Sequence, residues 1–137
     1  MNLLKHLPYE LASSFEDINT DLTLFKQCNE KLSLYSSSRY SEIYLFGKVF
    51  DWYCNLWFQN GVLETIDYRF PMHHFILFKE SINQELAEDK QLTKDKFFDG
   101  FALESYLNGV AISLRKLNDD YFLMRISKHP SLPRIRG

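Results

Sequence analysis

From Ile43 to Phe58 the chain is almost continuously apolar, interrupted chiefly by Lys48, Asp51 and Asn55. Together with Ser41 and Gln59 these polar residues recur at roughly three- and four-residue steps, which places them along one face of a helix. The apolar positions between them include Ile43, Leu45, Phe46, Val49, Phe50, Trp52, Tyr53, Leu56, Trp57 and Phe58. A helix that is apolar around most of its circumference belongs at the centre of a domain, surrounded by others. The pattern therefore predicts a central helix over about 39–59. A strand would put charged and apolar residues on the same face and fits the spacing less well, although the aromatics raise β propensity.

The flanking segments are read around that helix. Ser13-Ser14-Phe15-Glu16 matches a capping box, and Phe15, Ile18, Leu22, Phe25 and Leu32 follow at helical spacing. This predicts a helix over about 14–35, broken by Ser36-Ser37-Ser38. Asn60-Gly61 is the strongest turn dipeptide in the chain. After it Ile66, Tyr68 and Phe70 alternate with Thr65, Asp67 and Arg69, which predicts a short strand near 62–70. Pro71 ends the strand and opens a helix carrying Phe75, Phe78, Ile82 and Leu86 to about Asp89. Thr93 caps a further predicted helix through Phe97, Phe98, Phe101 and Leu107. Val110 to Leu117 and Tyr121 to Ser127 are β-rich runs around Asn118-Asp119-Asp120, a hairpin with a three-residue loop. The fold class expected is α+β and mostly helical: four or five helices around the central one, a short strand, and a C-terminal hairpin. Residues 1–128 form a single domain in this reading, and 129–137, with Pro130 and Pro133, a flexible basic tail.

The chain has 137 residues, the size of one domain. It is 45% hydrophobic and 25% charged, with 5 Gly and 4 Pro, which excludes disordered, collagen-like and low-complexity chains. Net charge is −2 and uneven. Arg115 to Gly137 holds six bases (Arg115, Lys116, Arg125, Lys128, Arg134, Arg136) against Asp119 and Asp120, while the rest is acidic. The N-terminal residues lack the apolar core of a signal peptide, and no apolar run approaches the length of a membrane span. Cys28 and Cys54 have no metal-knuckle or disulfide spacing and read as buried thiols. The expected location is the cytoplasm.

No catalytic signature is present. Gly47, Gly61, Gly100 and Gly109 are isolated, so no phosphate loop can form. Adjacent His73 and His74 point apart on a helix and cannot chelate one ion, even with Asp67 and Glu80 nearby. Cys54 follows Asp51 by three residues but lies in the most apolar stretch, where burial would silence a thiol. No metal and no cofactor is expected. Arg125, Lys128, Arg134 and Arg136 are available for phosphate contacts, but no recognition helix or aromatic–basic interleaving accompanies them, and nucleic acid is not the expected partner.

Arg69-Phe70-Pro71-Met72-His73-His74 places a histidine five positions after an arginine. This resembles the Arg-x4-6-His motif of the HEPN ribonucleases, small helical proteins. The resemblance implies that Arg69 and His74 would act together from a helix on an RNA 2′-hydroxyl.

The leading expectation is a non-catalytic domain that neutralises a protein partner by occlusion. In size, charge and missing motifs the chain is similar to the immunity proteins that bacteria pair with secreted toxins, many of them basic nucleases. The 12 Phe, 8 Tyr and 2 Trp exceed what one small core hides, and surface aromatics anchor interfaces. Glu80, Glu85, Glu88 and Asp89 gather near the end of one predicted helix and are the candidate partner-binding residues, facing a basic toxin domain. Acidic secretion chaperones are the alternative, although their usual C-terminal helix is missing here.

Overall fold

The computed structural model describes residues 3–19, 22–37, 42–51, 53–95, 100–107 and 109–128. Ten strands dominate it: β1 (Leu22–Gln27), β2 (Leu32–Ser37), β3 (Glu42–Leu45), β4 (Lys48–Asp51), β5 (Tyr53–Gln59), β6 (Val62–Pro71), β7 (Thr93–Lys94), β8 (Ala102–Leu107), β9 (Val110–Lys116) and β10 (Tyr121–Lys128). Two α-helices are described, α1 (Phe15–Ile18) and α2 (Phe75–Glu85), with short 3-10 turns beside them. Eight strands form one antiparallel sheet in the order β1-β2-β5-β6-β10-β9-β8-β7. β3 and β4 form a separate hairpin. The sheet is thus two runs of neighbouring strands, joined where β6 pairs with β10.

This corrects the helix-dominated expectation. The segment 39–59 is not a central helix but β3, β4 and β5; Ser41 and Trp52 lie outside the described residues. Its true period is two. Ile43 and Leu45 are buried while Glu42 and Tyr44 are exposed, and Cys54, Leu56 and Phe58 are buried while Tyr53 and Asn55 are exposed. Tyr44, Tyr53 and Trp57 occupy the outward positions and, being aromatic, disguise the alternation as an unbroken apolar run. The reversal at Phe46-Gly47 is also hidden, because phenylalanine is not a turn residue. Both residues have positive φ, 53° and 76°, like Asn60-Gly61 at 54° and 78°. That pair of left-handed residues fits the twist of a tight hairpin. Phe46 tolerates the conformation while packing its ring edge-on against Phe78, centroids 5.1 Å apart.

The helix expected over 14–35 ends at Ile18. Ser14 does cap it, its hydroxyl accepting the Glu16 N–H. The chain then enters β1 and β2, reversing at Asn29, whose side-chain oxygen accepts the N–H groups of Lys31 and Leu32. That local bond stabilises a turn where helical spacing alone suggested continuity. Cys28 falls in this reversal and is half-buried, while Cys54 is buried in β5; both thiols are free. Thr93 begins β7 rather than capping a helix, and β8 follows; Phe97 and Phe98 lie outside the described residues. The strand near 62–70 and the hairpin of 110–127 are present as β6 and β9–β10; the helix expected from Pro71 to about Asp89 is the shorter α2, entered through a 3-10 turn at Met72–His74 and ended at Glu85, with Glu88 and Asp89 in a separate 3-10 turn. In the hairpin, Asn118 closes the turn by accepting the N–H groups of Asp120 and Tyr121. The expected tail 129–137 lies outside the described residues, and so do Arg134 and Arg136.

The core lies on one face of the sheet. Phe75, Phe78 and Ile82 of α2 pack there, and Phe78 meets Phe50, Phe70 and Phe122 at centroid distances of 5.2, 4.6 and 5.3 Å. The β3–β4 hairpin joins this cluster through Ile43, Leu45 and Phe50, and the N-terminal turn through Leu3 and Tyr9. α1 covers the same side, Phe15 resting on Tyr35 and Phe58. Each fully buried phenylalanine contributes about 1.5–3 kcal/mol by leaving water. Among the described residues, every element outside the large sheet packs on this one face.

Candidate functional site, an uncovered sheet face

The strand period assigns the other face. β5 presents Tyr53, Asn55 and Trp57; β6 presents Thr65, Asp67 and Arg69; β10 presents Tyr121, Leu123, Arg125 and Ser127. β9 adds Ser113 and Arg115, and β8 adds Glu104 and Tyr106. In register these make cross-strand rows, one of them Asn55–Asp67–Arg125–Ser113–Glu104. Antiparallel sheets commonly leave one face to solvent, but with simple polar side chains. Here the face is aromatic and ionic, and its groups are tied together.

Asp67 is the hub. It is only 5% exposed although no helix among the described residues packs over it. Arg125 donates to it twice, Nε to Oδ1 at 2.7 Å and Nη2 to Oδ2 at 2.8 Å. The Trp57 indole N–H donates to Oδ2 at 3.0 Å. The carboxylate therefore accepts three bonds and neutralises the guanidinium. Burial works against the charge on Arg125, but the Asp67 hydrogen bonds and charge outweigh it and hold that pKa above the ordinary arginine value. Arg115 is shifted the other way, downward, by burial and by neighbouring Arg125, against the attraction of Asp67, Asp95 and Glu104. Its Nε donates to the Ser113 hydroxyl at 3.2 Å. Beneath Asp67, on the opposite face, burial and the Asp67 charge push the Cys54 thiol well up, so it stays protonated and unreactive.

A second cluster adjoins the first. The Arg69 guanidinium lies over the ring of Tyr53 at 4.3 Å and over that of Tyr121 at 4.5 Å. Tyr53 is directly opposite Arg69 on β5, while Tyr121 comes diagonally from β10. Arg69 is therefore gripped from both neighbouring strands. Tyr53 is 66% exposed and Tyr106 42%, so the face offers aromatic surface outward at two separated points.

The residues singled out from sequence are placed elsewhere. Glu80 is exposed on α2, and Glu88 and Asp89 are exposed in the 3-10 turn that follows it. Glu85 is half-buried and accepts the backbone N–H of Leu3 at 2.9 Å, so it ties the N-terminal turn to the helix. All four belong to the helix layer and its connection to β7. Arg69 and His74 are separated rather than paired. Arg69 lies in a strand on the uncovered face, whereas His74 ends a 3-10 turn on the core side, its ring 4.9 Å from Phe50. The helical setting that the ribonuclease motif implies is absent. The His73 and His74 rings are 4.0 Å apart, and no group of three metal-ligating side chains occurs among the described residues. Lys128 is exposed at the end of β10, and Arg125 is already bonded to Asp67.

Sequence reading missed Trp57, Asp67 and Arg125 as a unit. The signal was the polar half of the β6 alternation, Thr65, Asp67 and Arg69, which had no evident partner until β5 and β10 flanked it. No helix among the described residues is long and apolar enough to cross a membrane. A shallow depression of about 330 Å³ lined by His6, Pro8, Glu42, Ile43 and Tyr44 lies between the N-terminal turn and β3, away from the ionic face. No family model, curated protein or solved structure matches this chain, so its own geometry is the basis for any functional reading.

Proposed function

We propose that this chain is a protein-binding domain that neutralises a partner by covering it, as an immunity protein covers a toxin, and that the uncovered sheet face is its contact surface. The observation that carries the proposal is the residue content and bonding of that face. Trp, Tyr and Arg are the side chains that most often dominate interface energy. Here Trp57, Arg125 and Arg69 are held by hydrogen bonds and ring contacts before any partner arrives. Side chains already ordered lose less entropy on binding, so more of their contact energy appears as affinity. The acids Glu80, Glu88 and Asp89, on the helix layer, keep a role as long-range charge that speeds encounter with a basic partner.

The test uses the product of the neighbouring open reading frame, purified as the candidate partner, and calorimetry. Asn55→Arg and Tyr106→Ala alter exposed positions on the face without touching the Asp67 hub. Each is expected to weaken binding at least about tenfold, whereas Ile76→Ala, exposed on α2, should leave it unchanged. Equal affinity for all three, with tight binding by the wild type, places the contact elsewhere and refutes the assignment.

A further inference from the structure

The three arginines of the uncovered face are not equivalent. Arg125 has a carboxylate in a two-bond pairing. Arg115 donates to Ser113 and experiences the charges of Asp95 and Glu104. Arg69 has no carboxylate beside it among the described residues; its contacts are the two tyrosine rings, and its Nε is buried with no hydrogen-bond partner. A guanidinium is planar, and its N–H groups all lie in that plane. Rings packed near it favour the cation through their π faces but accept no strong hydrogen bond from its edge. With Nε out of reach, the terminal Nη1–Nη2 edge is the part of Arg69 left to recruit a ligand, and that edge also matches two parallel bonds to a carboxylate.

From this we infer that Arg69, between Tyr53 and Tyr121, is an anion-recognition anchor that takes a carboxylate of the protein partner, an Asp or Glu side chain or a chain terminus. The inference rests on the reading of this face as a protein-contact surface. It adds the chemical class of the group that seats at its centre. The molecule supplies a precedent for two-bond pairing on this face in Arg125, one cross-strand diagonal away, which holds Asp67 through Nε and Nη2. A carboxylate fits the face better than a polyphosphate chain, because Asp67, Glu104 and Asp95 lie in or beside the same rows and would repel an extended line of anions. It would bring one charge to the one guanidinium of this face that lacks a counter-charge among the described residues.

The experiment needs no partner. The arginine Nε–Hε signals of the full chain are followed by NMR during titration with sodium acetate, inorganic phosphate and sodium chloride at matched ionic strength. Acetate should shift the Arg69 signal saturably, with little change at Arg125, whose donors Asp67 already occupies. Arg69→Lys, which keeps the charge but loses the fork, should abolish the accompanying shifts of the Tyr53 and Tyr121 rings. A response to acetate no larger than to chloride overturns the inference. Saturation by phosphate without acetate also overturns it, and assigns the clamp to a phosphate-bearing partner such as a nucleic acid. Either failure leaves the contact-surface proposal to be judged by Asn55→Arg and Tyr106→Ala, whose effect on partner binding does not require an anion at Arg69.

Discussion

Asp67 and Arg125, 58 residues apart in sequence, face each other across the β6–β10 pair and are joined by two hydrogen bonds of 2.7 and 2.8 Å. Their position gives the bond its meaning. β6 ends one run of strands and β10 ends the other, so this ion pair sits at the single seam that makes two strand groups into one sheet. The Trp57 indole extends the link to β5. Stability and the proposed contact face therefore share the same residues.

Removing one member of that pair should be costly, because the survivor stays out of water without its counter-charge. Asp67→Ala is expected to destabilise the fold by about 3–5 kcal/mol in urea unfolding. Replacing both, Asp67→Leu with Arg125→Met, should recover much of that loss, since two apolar groups of similar volume need no desolvation. A loss below about 1 kcal/mol for Asp67→Ala would mean that the pair is a solvated surface bridge instead.

The β3–β4 reversal should reveal its strain. Gly47 has φ of +76° and open space where a Cβ would stand, so Gly47→Ala should cost about 1 kcal/mol through backbone conformation alone. Phe46→Ala keeps an unfavourable φ and also loses the ring contact with Phe78, so it should cost more. Thermal unfolding of both variants checks the order. The reverse order would show that the Phe46 ring does not anchor the hairpin.

Two pH limbs follow from groups whose titration changes on folding. Burial, followed by the charges of His73 and Lys48, lowers the His74 pKa, so the unfolded chain binds this proton more readily. Stability from this source is complete above the ordinary histidine value near 6.5 and is lost as pH falls through the lower folded value. At the other end, burial raises Cys54 and Tyr68 well above 9.0 and 10.0. Their contribution is complete below those values and is lost as pH rises through them toward the folded pKa values. Denaturant midpoints measured from pH 4 to 11 should form a plateau with both shoulders. His74→Gln should flatten the acid one and Cys54→Ala should reduce the alkaline one.

Charge on the helix layer should act on rate. Glu88→Lys with Asp89→Lys is expected to slow association with a basic partner several-fold at low salt and to leave dissociation nearly unchanged. Glu85 is excluded from this set because it bonds Leu3. Stopped-flow association at two salt concentrations separates the effect. A change confined to the dissociation rate would place these acids inside the contact.

The parts legible in sequence were those where local chemistry and the tertiary role agree. Asn60-Gly61, the alternation from Thr65 to Phe70, the Pro71 end of β6 and the Asn118 turn are each local signals that the fold uses directly. The strand expected near 62–70 and the hairpin expected over 110–127 are accordingly present. The segment from Glu42 to Gln59 misled because its outward positions carry Tyr44, Tyr53 and Trp57, which read as core. The same fact explains the missed site. Outward aromatics blurred the strand period, and the partners of Asp67 lie ten residues away on β5 and fifty-eight away on β10, where no spacing rule reaches. The acidic cluster was visible in sequence only as composition, which could not distinguish Glu85, a structural tie, from its exposed neighbours.

The most direct test of the uncovered sheet face as the working surface is hydroxyl-radical footprinting of the chain alone and in complex with its partner. Strong protection of Tyr53, Trp57 and Tyr106 is expected, with oxidation of Ile76 on α2 and Tyr44 on β3 unchanged. Protection of Ile76 and Tyr44, with Tyr53 and Tyr106 still oxidised, would contradict it.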